Sequence, residues 1–147
     1  MAPPKPILKG YVFSARYLIK NVLYGTYLEL PNEDGGTAVV SAREANKESQ
    51  WWSIANHQNG TVSIRNVKFK SYPMHRSQPA EGTEVVGGPA EQAVLHTIVE
   101  TATKGQYLIG TGDGQLFWSL SSVNLGTAVL LENEPDLKRN QWFLFRV

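Results

Sequence analysis

Tyr17-Leu18-Ile19-Lys20-Asn21 is the first copy of a segment that recurs at intervals of 45 residues, as Val62-Ser63-Ile64-Arg65-Asn66 and Tyr107-Leu108-Ile109-Gly110-Thr111. An aromatic residue follows each copy at the same distance, and a Gly-Thr-x-Val step follows the aromatic residue. Repetition with a period of about 20–50 residues is typical of folds built from equivalent units. The sequence therefore predicts one structural unit present three times. The aromatic residues are Tyr27, Tyr72 and Phe117, and the Gly-Thr steps begin at Gly36, Gly82 and Gly126.

Each unit has the pattern of short β-strands. Apolar and polar residues alternate within the copies, which is the period of a strand with one buried face. Turn-forming pairs such as Asp34-Gly35 and Asn59-Gly60 interrupt the alternation about every 8–12 residues, as in all-β sandwiches and barrels. No window shows a helical period, and 41–49 has room for one helical turn. In the first unit the strands are expected near 16–21, 26–30, 37–41 and 50–55.

Three four-stranded units that close on each other form a β-trefoil, and closure leaves no exposed sheet edge. We therefore predict an all-β fold, a β-trefoil with three pseudo-threefold repeats of four strands each. Residues 1–9, with three prolines, are expected to form a flexible N-terminal arm. Residues 10–147 form the single domain. The repeats are expected at approximately 10–56, 57–101 and 102–147.

Composition restricts the partners and the compartment. The net charge is +1, so the sequence does not favour nucleic acid as a partner. The chain has no cysteine, no apolar signal segment at the N-terminus and no run long enough to cross a bilayer. We expect a cytoplasmic protein, or one released by an unconventional route, that does not insert into membranes.

The end of each unit resembles a known family. Gln50-Trp51-Trp52 matches a Gln-x-Trp motif in full and Gln141-Trp142-Phe143 matches it in part, whereas Val94-Leu95-His96 has lost both residues. Three units that end on Gln-x-Trp resemble the ricin-B-type β-trefoil, and versions without cysteine are similar to the lectins of mushroom fruiting bodies. The resemblance covers residues 10–147. We expect the large aromatic side chains of these motifs and His96 to belong to the shared core.

The resemblance implies a sugar site with three groups in each unit. A carboxylate accepts hydrogen bonds from two hydroxyls, an aromatic ring stacks on the apolar face of the sugar, and an Asn or Gln near the Gln-x-Trp motif binds another hydroxyl. Counting seven residues back from the Gly-Thr steps gives Glu29, His75 and Ser119 at the carboxylate position, so no unit has the full set. The candidate ligand-binding residues are Glu29, Arg43, Asn46 and Gln50 in the first unit, His75 and Arg76 in the second, and Ser119, Asn133 and Asn140 in the third.

Trp118 is the candidate stacking residue. It follows Phe117, which repeats Tyr27 and Tyr72 and is interpreted as a core residue. Since adjacent residues of a strand point to opposite faces, Trp118 is expected to face outward. An exposed tryptophan beside Ser119 can stack on a sugar. Covering a neighbouring loop and forming a dimer contact are the alternatives.

The chain shows no residue pattern for catalysis or for metal binding. His57, His75 and His96 are isolated from one another, and neither Gly-x-Ser-x-Gly nor His-x-x-x-His occurs. Gly110-Thr111-Gly112-Asp113-Gly114 lacks the Lys-Ser/Thr and the helix of a phosphate-binding loop, so it is interpreted as a hairpin turn. We expect a protein that is not an enzyme and that uses no cofactor and no metal.

The sequence leaves two main functions open, besides a purely structural or interaction role. The resemblance implies a lectin in fungal defence that binds galactose- or N-acetylgalactosamine-type glycans or glycoproteins, through weak sites that act together in several units or in a homodimer. The alternative is a peptidase inhibitor of the mycocypin or cospin type, a group with the same fold that is similar around Trp51-Trp52-Ser53-Ile54-Ala55. A surface loop would then enter the cleft of a serine or cysteine protease. The candidate loops are 31–35, 67–71 (with Lys68 and Lys70) and 87–90.

Overall fold

The computed structural model describes residues 12–76 and 78–147, in which twelve β-strands and four single turns of 3₁₀ helix occur. The expected arm at 1–9 lies outside the described residues. The strands are β1 Ala15–Asn21, β2 Tyr27–Glu29, β3 Val40–Ala42, β4 Trp52–Asn56, β5 Val62–Asn66, β6 Tyr72–Met74, β7 Val86–Gly88, β8 His96–Glu100, β9 Tyr107–Thr111, β10 Phe117–Ser119, β11 Leu130–Glu132 and β12 Trp142–Arg146. The 3₁₀ turns are Glu48–Gln50, Gln58–Gly60, Ala90–Gln92 and Lys138–Asn140.

Six of the strands form a closed antiparallel barrel. β1, β4, β5, β8, β9 and β12 pair in that order, and β12 closes the barrel by pairing with both β9 and β1. The other six form three hairpins, β2–β3, β6–β7 and β10–β11, outside the barrel. The predicted β-trefoil is confirmed. No helix among the described residues is long and apolar enough to cross a membrane.

The three hairpins meet in a ring of backbone hydrogen bonds. Val39 N–H donates to Val85 O at 2.9 Å, Val85 N–H donates to Val129 O at 3.0 Å, and Val129 N–H donates to Val39 O at 2.9 Å. All three valines are buried. Each is the last residue of a Gly-Thr-x-Val step, so the repeated step marks the pseudo-threefold axis, where each repeat satisfies the backbone groups of the next.

The alternation predicted for the barrel strands is confirmed. Tyr17 and Ile19, Val62 and Ile64, and Tyr107 and Ile109 are at most 2% exposed and fill the core. The expected core positions at the start of the fourth strands are confirmed as well. Trp52 and Trp142 are fully buried, and each donates its indole N–H to a carbonyl 24 residues earlier, Leu28 O and Trp118 O. His96 occupies the same place in the second repeat and is 1% exposed.

The outer hairpins correct one prediction. Trp118 is completely buried, and Phe117 is partly exposed, as are its counterparts Tyr27 and Tyr72. Alternation along the strand was predicted correctly, but the two faces were assigned the wrong way round. The buried face of β10 continues through Leu120, as the buried face of β2 continues from Leu28 to Leu30. Trp118 packs edge-on against His96 with ring centroids 5.3 Å apart. His96 replaces a larger tryptophan, and Trp118 fills the space beside it.

The register of the third motif is also corrected. Trp142 begins β12 as Trp52 begins β4, so Asn140 corresponds to Gln50 and Gln141 corresponds to Trp51. The middle residue of the Gln-x-Trp motif lies just before the strand, and its side chain points outward. Trp51 is accordingly half-buried rather than part of the core.

Candidate functional site

The carboxylate of Glu29 is held by three side chains of its own repeat. Ser49 Oγ donates to Glu29 Oε2 at 2.7 Å, Lys47 Nζ lies 3.1 Å from the same oxygen, and Gln50 Nε2 donates to Oε1 at 3.4 Å. Partial burial acts to raise the pKa of Glu29, but the hydrogen bonds from Ser49, Lys47 and Gln50 outweigh it and lower the pKa below its ordinary value. The carboxylate is therefore ionised, and its oxygens are already paired with the 3₁₀ turn before β4.

Gln50 positions the loop that follows β3. Its side chain is fully buried, donates to Arg43 O at 2.8 Å and accepts a hydrogen bond from Ala45 N–H at 3.0 Å. Outside the loop, the indole N–H of Trp51 donates to Asn46 Oδ1 at 3.1 Å. Gln50 thus has no surface to offer a ligand. Arg43 and Asn46 are exposed, and the loop that carries them is fixed by Gln50 on its buried side and by Trp51 on its outer side.

A cleft of about 460 Å³ lies between the first and third repeats, and we name it the Tyr27 cleft. The partly exposed ring of Tyr27 forms its aromatic wall, and Lys20 Nζ lies 5.7 Å from the centre of that ring. Burial, followed by the nearby charge of Glu44, raises the pKa of the Tyr27 phenol, which therefore stays a hydrogen-bond donor. The cleft is lined by Lys20, Gly25, Thr26, Tyr27, Ala42, Arg43, Glu44, Val123 and Leu125.

The third repeat contains a carboxylate that the sequence reasoning missed. Glu132 lies opposite Phe117 in the β10–β11 hairpin, accepts a hydrogen bond from Ser119 Oγ at 2.6 Å and forms an ion pair with Arg139 at 3.0 Å. The sequence contained a signal for this carboxylate. Six positions after the glycine of the Gly-Thr step, the third repeat has an acidic residue, whereas the first and second repeats have Ala42 and Gly88. Both carboxylate oxygens have protein partners, so this network braces the hairpin.

The remaining candidates of the third repeat form no hydrogen bonds with one another among the described residues. Asn140 is fully buried and donates to Glu134 O at 2.6 Å. Ser119 is 2% exposed. Asn133 is exposed, and its backbone N–H donates to Glu81 Oε1 at 3.4 Å. A depression of about 260 Å³ in this repeat has no aromatic residue in its lining.

The second repeat corrects the position assigned to His75. The strand residue that corresponds to Glu29 and Ser119 is Met74, because the loop before Gly82 is one residue longer than in the other repeats. His75 follows the strand, and its Nδ1 lies 2.8 Å from Arg76 O. Arg76 is exposed and lines a depression of about 340 Å³ that has no aromatic residue.

Trp118 cannot stack on a ligand because none of its surface is exposed. Among the partly exposed aromatic residues, Tyr27 lies beside the Tyr27 cleft and Trp51 lies beside the loop that follows β3. Leu28 and Leu30 are both buried. Since adjacent residues of a strand point to opposite faces, these two apolar residues indicate that Tyr27 lies on the outer face. Among residues 12–76 and 78–147, no three His, Asp or Glu side chains lie close enough together to hold a metal ion.

Solved lectin structures superpose closely on this fold. The Rhizoctonia solani agglutinin has a TM-score of 0.83 and 25% identity and covers 92% of this chain and 97% of its own. The Macrolepiota procera ricin B-like lectin, solved in complex with lactose, has a TM-score of 0.78 and 22% identity and covers 92% and 99%. The designed threefold-symmetric protein ThreeFoil has a TM-score of 0.81 and 14% identity and covers 90% and 99%. No curated protein sequence matches the chain.

These likenesses bear on the two functions left open by the sequence. The lectin relatives support carbohydrate binding by a non-catalytic protein, and nothing among the comparisons favours the peptidase-inhibitor alternative. The sequence family described as ricin-type β-trefoil lectin domain-like matches residues 8–88, more than half of the 147 residues. The chain belongs to this family.

Proposed function

We propose that the protein is a lectin that binds galactose- or N-acetylgalactosamine-type sugars in the Tyr27 cleft. The observation that carries the proposal is the composition of that cleft, which combines a partly exposed aromatic ring with charged side chains of both signs. A sugar of this class has an apolar C–H face and a hydroxyl-rich edge, and sites for such ligands combine an aromatic surface with a few directed polar groups.

Three side chains of the cleft contact the sugar in the proposed complex. Tyr27 stacks on the C–H face of the sugar. Arg43 donates hydrogen bonds to hydroxyl oxygens, and Glu44 accepts them from hydroxyl hydrogens. Glu29 and Gln50 act as positioning residues, because their polar atoms are bonded to the loop and the 3₁₀ turn rather than to the cleft. The lactose in the Macrolepiota procera lectin supports the choice of a galactoside.

A glycan array with the full chain tests the proposal. We expect binding to glycans that end in galactose or N-acetylgalactosamine, and Tyr27→Ala is expected to weaken lactose binding by about tenfold, the factor equivalent to about 1.4 kcal/mol. Tyr72→Ala is the matched control, since it removes the corresponding aromatic of the second repeat and is expected to bind as wild type. Absence of binding to any glycan, or equal losses in the two variants, would contradict the proposal.

The biological setting belongs to the same proposal. We assign the lectin to the cytoplasm, because a chain without cysteine suits a reducing compartment, and to fungal defence by its family resemblance. Weak single sites gain avidity when two chains present them together, so we also propose a homodimer. Sedimentation measurements test the dimer, and a monomer at every concentration would exclude it.

A further inference from the structure

A second concave surface lies beside the Tyr27 cleft, on the other side of the loop that follows β3. It consists of two depressions of about 620 and 390 Å³ that share Asn46 and Trp51, and we name it the Trp51 groove. Arg16, Leu18 and Arg146 line it on one side of Trp51, and Lys68 lines it on the other. Its size is in the range of small-molecule sites, roughly 300–1,000 Å³.

Trp51 is a fixed aromatic surface in the middle of this groove. The other tryptophans, Trp52, Trp118 and Trp142, are completely buried, whereas Trp51 is half-buried. Its indole N–H donates to Asn46 Oδ1, and Asn46 has a φ of 45°, a left-handed conformation that non-glycine residues rarely adopt. Residues held in such conformations cluster at functional sites.

The fold does not require a tryptophan at this position. The residue immediately before the fourth strand is Trp51 in the first repeat, Leu95 in the second and Gln141 in the third. The core contact comes from the following residue, which is buried in all three repeats. The exposed aromatic surface is therefore particular to the first repeat, as expected for a residue that binds a ligand.

The lining of the Trp51 groove contains four basic side chains and two acidic ones, a balance that favours an anion that also carries hydroxyl groups. The basic side chains are those of Arg16, Lys47, Lys68 and Arg146, and the acidic ones are those of Glu44 and Glu48. Arg16 and Arg146 have no ion-pair partner within 4.0 Å in the part of the chain that the structure describes. Guanidinium groups bind carboxylate and sulfate-like oxyanions with paired hydrogen bonds. Glu44 and Asn46 line the same wall and can accept hydrogen bonds from hydroxyls.

We propose that the Trp51 groove is a second saccharide site, which binds a sugar bearing a carboxylate or sulfate group. The C–H face of the sugar stacks on Trp51, and the anionic group pairs with Arg16 and Arg146. This inference extends the proposed carbohydrate binding to a ligand of different chemistry. It does not depend on a sugar in the Tyr27 cleft.

Tryptophan fluorescence of the full chain tests the inference, because Trp51 is the one tryptophan with exposed surface. The probes are galacturonic acid, galactose 6-sulfate and, as the neutral control, galactose, each titrated into Tyr27→Ala, in which binding to the Tyr27 cleft is expected to be about tenfold weaker. At least one charged sugar is expected to bind about tenfold more tightly than galactose. Preference for galactose 6-sulfate identifies a sulfate ester as the natural group, and preference for galacturonic acid identifies a carboxylate.

Variants separate this site from the Tyr27 cleft. Trp51→Leu, which introduces the residue found at the same place in the second repeat, is followed by calorimetry and is expected to abolish binding of the charged sugar. Arg16→Ala and Arg146→Ala are each expected to weaken it by about tenfold, and Lys104→Ala, at an exposed lysine outside the groove, leaves it unchanged. Added salt is expected to weaken binding as well.

Three outcomes would overturn the inference: no charged sugar binds, inorganic sulfate alone gives the same fluorescence change, or Trp51→Leu binds as tightly as its parent. Loss of the charged sugar in Tyr27→Ala would place that ligand in the Tyr27 cleft and would also overturn it. Failure of lactose to bind the wild type, with the charged sugar still bound, would contradict the proposed function alone. The two proposals therefore fail separately.

Discussion

Asn66 links the second repeat to the first. It is completely buried, its Nδ2 donates to Ser49 O at 2.9 Å, and its Oδ1 accepts from Phe69 N–H at 3.1 Å. Asn21 makes the equivalent link between the first and third repeats by donating to Arg139 O at 2.9 Å. Thr111, at the same position of the third repeat, has no amide and bonds to Asp113 instead. Two of the three junctions thus have an asparagine clamp.

Asn66→Ala is expected to lower the free energy of unfolding by about 1–3 kcal/mol, because it leaves the Phe69 N–H without its partner. It also removes one of the two hydrogen bonds to Ser49 O, which keeps the one from Leu30 N–H. Urea unfolding followed by tryptophan fluorescence measures the change. Asn133→Ala is the matched control: its side chain is exposed, and a change within about 0.5 kcal/mol is expected. Equal stability of the two variants would show that the clamp contributes nothing.

His96 makes stability depend on pH. Burial, with a smaller effect of the nearby charge of His75, lowers the pKa of His96 from 6.5 to about 3. The folded state therefore holds a neutral imidazole, while the unfolded chain binds a proton near pH 6.5. Stability from this residue is fully present above about pH 6.5 and is lost as the pH falls towards 3.

His96→Phe is expected to remove most of this pH dependence. The wild type should lose about 2 kcal/mol of unfolding free energy between pH 7 and pH 5, as one proton binds to the unfolded state. The pKa values of Glu29 and Asp113 are also lowered, and the unfolding free energy that these carboxylates contribute is lost mainly below pH 5. Urea unfolding at the two pH values gives the difference, with His57→Gln as a control that keeps it. The same loss in His96→Phe would exclude His96 as the cause.

At the scale of the element, the β2–β3 hairpin explains why the Gly-Thr step is repeated. Gly36 has a φ of 83°, and the glycines at the same place in the other repeats have φ values of 85° and 84°. Gly36 N–H donates to Gly87 O in the second repeat at 3.0 Å. The positive φ directs this donor towards the neighbouring repeat. The conformation of this one glycine therefore determines both the turn and a hydrogen bond between two repeats.

Gly35 and Gly36 are adjacent, so substitutions at the two positions separate the effect of the positive φ from other effects of adding a side chain. A Cβ added at Gly35 or at Gly36 meets no atom within 4 Å, but only Gly36 has a positive φ. Gly36→Ala is therefore expected to lower the unfolding free energy by about 1–2 kcal/mol. Gly35→Ala should leave it unchanged or raise it by up to about 1 kcal/mol through lower entropy of the unfolded chain. Thermal unfolding compares the two variants, and an equal effect would contradict the assignment to φ.

The outer hairpins also show what alternation can and cannot predict. The barrel strand β5 is five residues long and alternates apolar Val62 and Ile64 with polar residues, so its buried face is evident in the sequence. β10 has three residues and two aromatic side chains, Phe117 and Trp118, of which either suits the core. Within β10 the choice is not evident, but the first repeat indicates it, because Leu28 and Leu30, at the positions of Trp118 and Leu120, are apolar and buried.

At the scale of the whole molecule, the repeat predicted the closed fold but not the clefts. The barrel and the ring of valines use positions that are equivalent in all repeats, so their signals recur in the sequence. The Tyr27 cleft combines Tyr27 and Arg43 of the first repeat with Val123 and Leu125 of the third. Such a surface arises from repeat packing rather than from spacing within one repeat. Sequence motifs accordingly identified Arg43 but missed Tyr27 as a wall of the cleft.

The threefold fold therefore carries unequal surfaces, and this has a measurable consequence. Calorimetric titration of the full chain with lactose is expected to give one site per chain, because the described depressions of the second and third repeats have no aromatic wall. Phe117→Ala and Tyr72→Ala should keep the affinity of that site, whereas Tyr27→Ala should lower it by about tenfold. Phe117 faces Glu132, whose oxygens are bonded to Ser119 and Arg139, so the third repeat offers a sugar no unpaired carboxylate at this place. A stoichiometry near three would mean that the threefold backbone alone defines the sites, and it would contradict a site made by the junction of the first and third repeats.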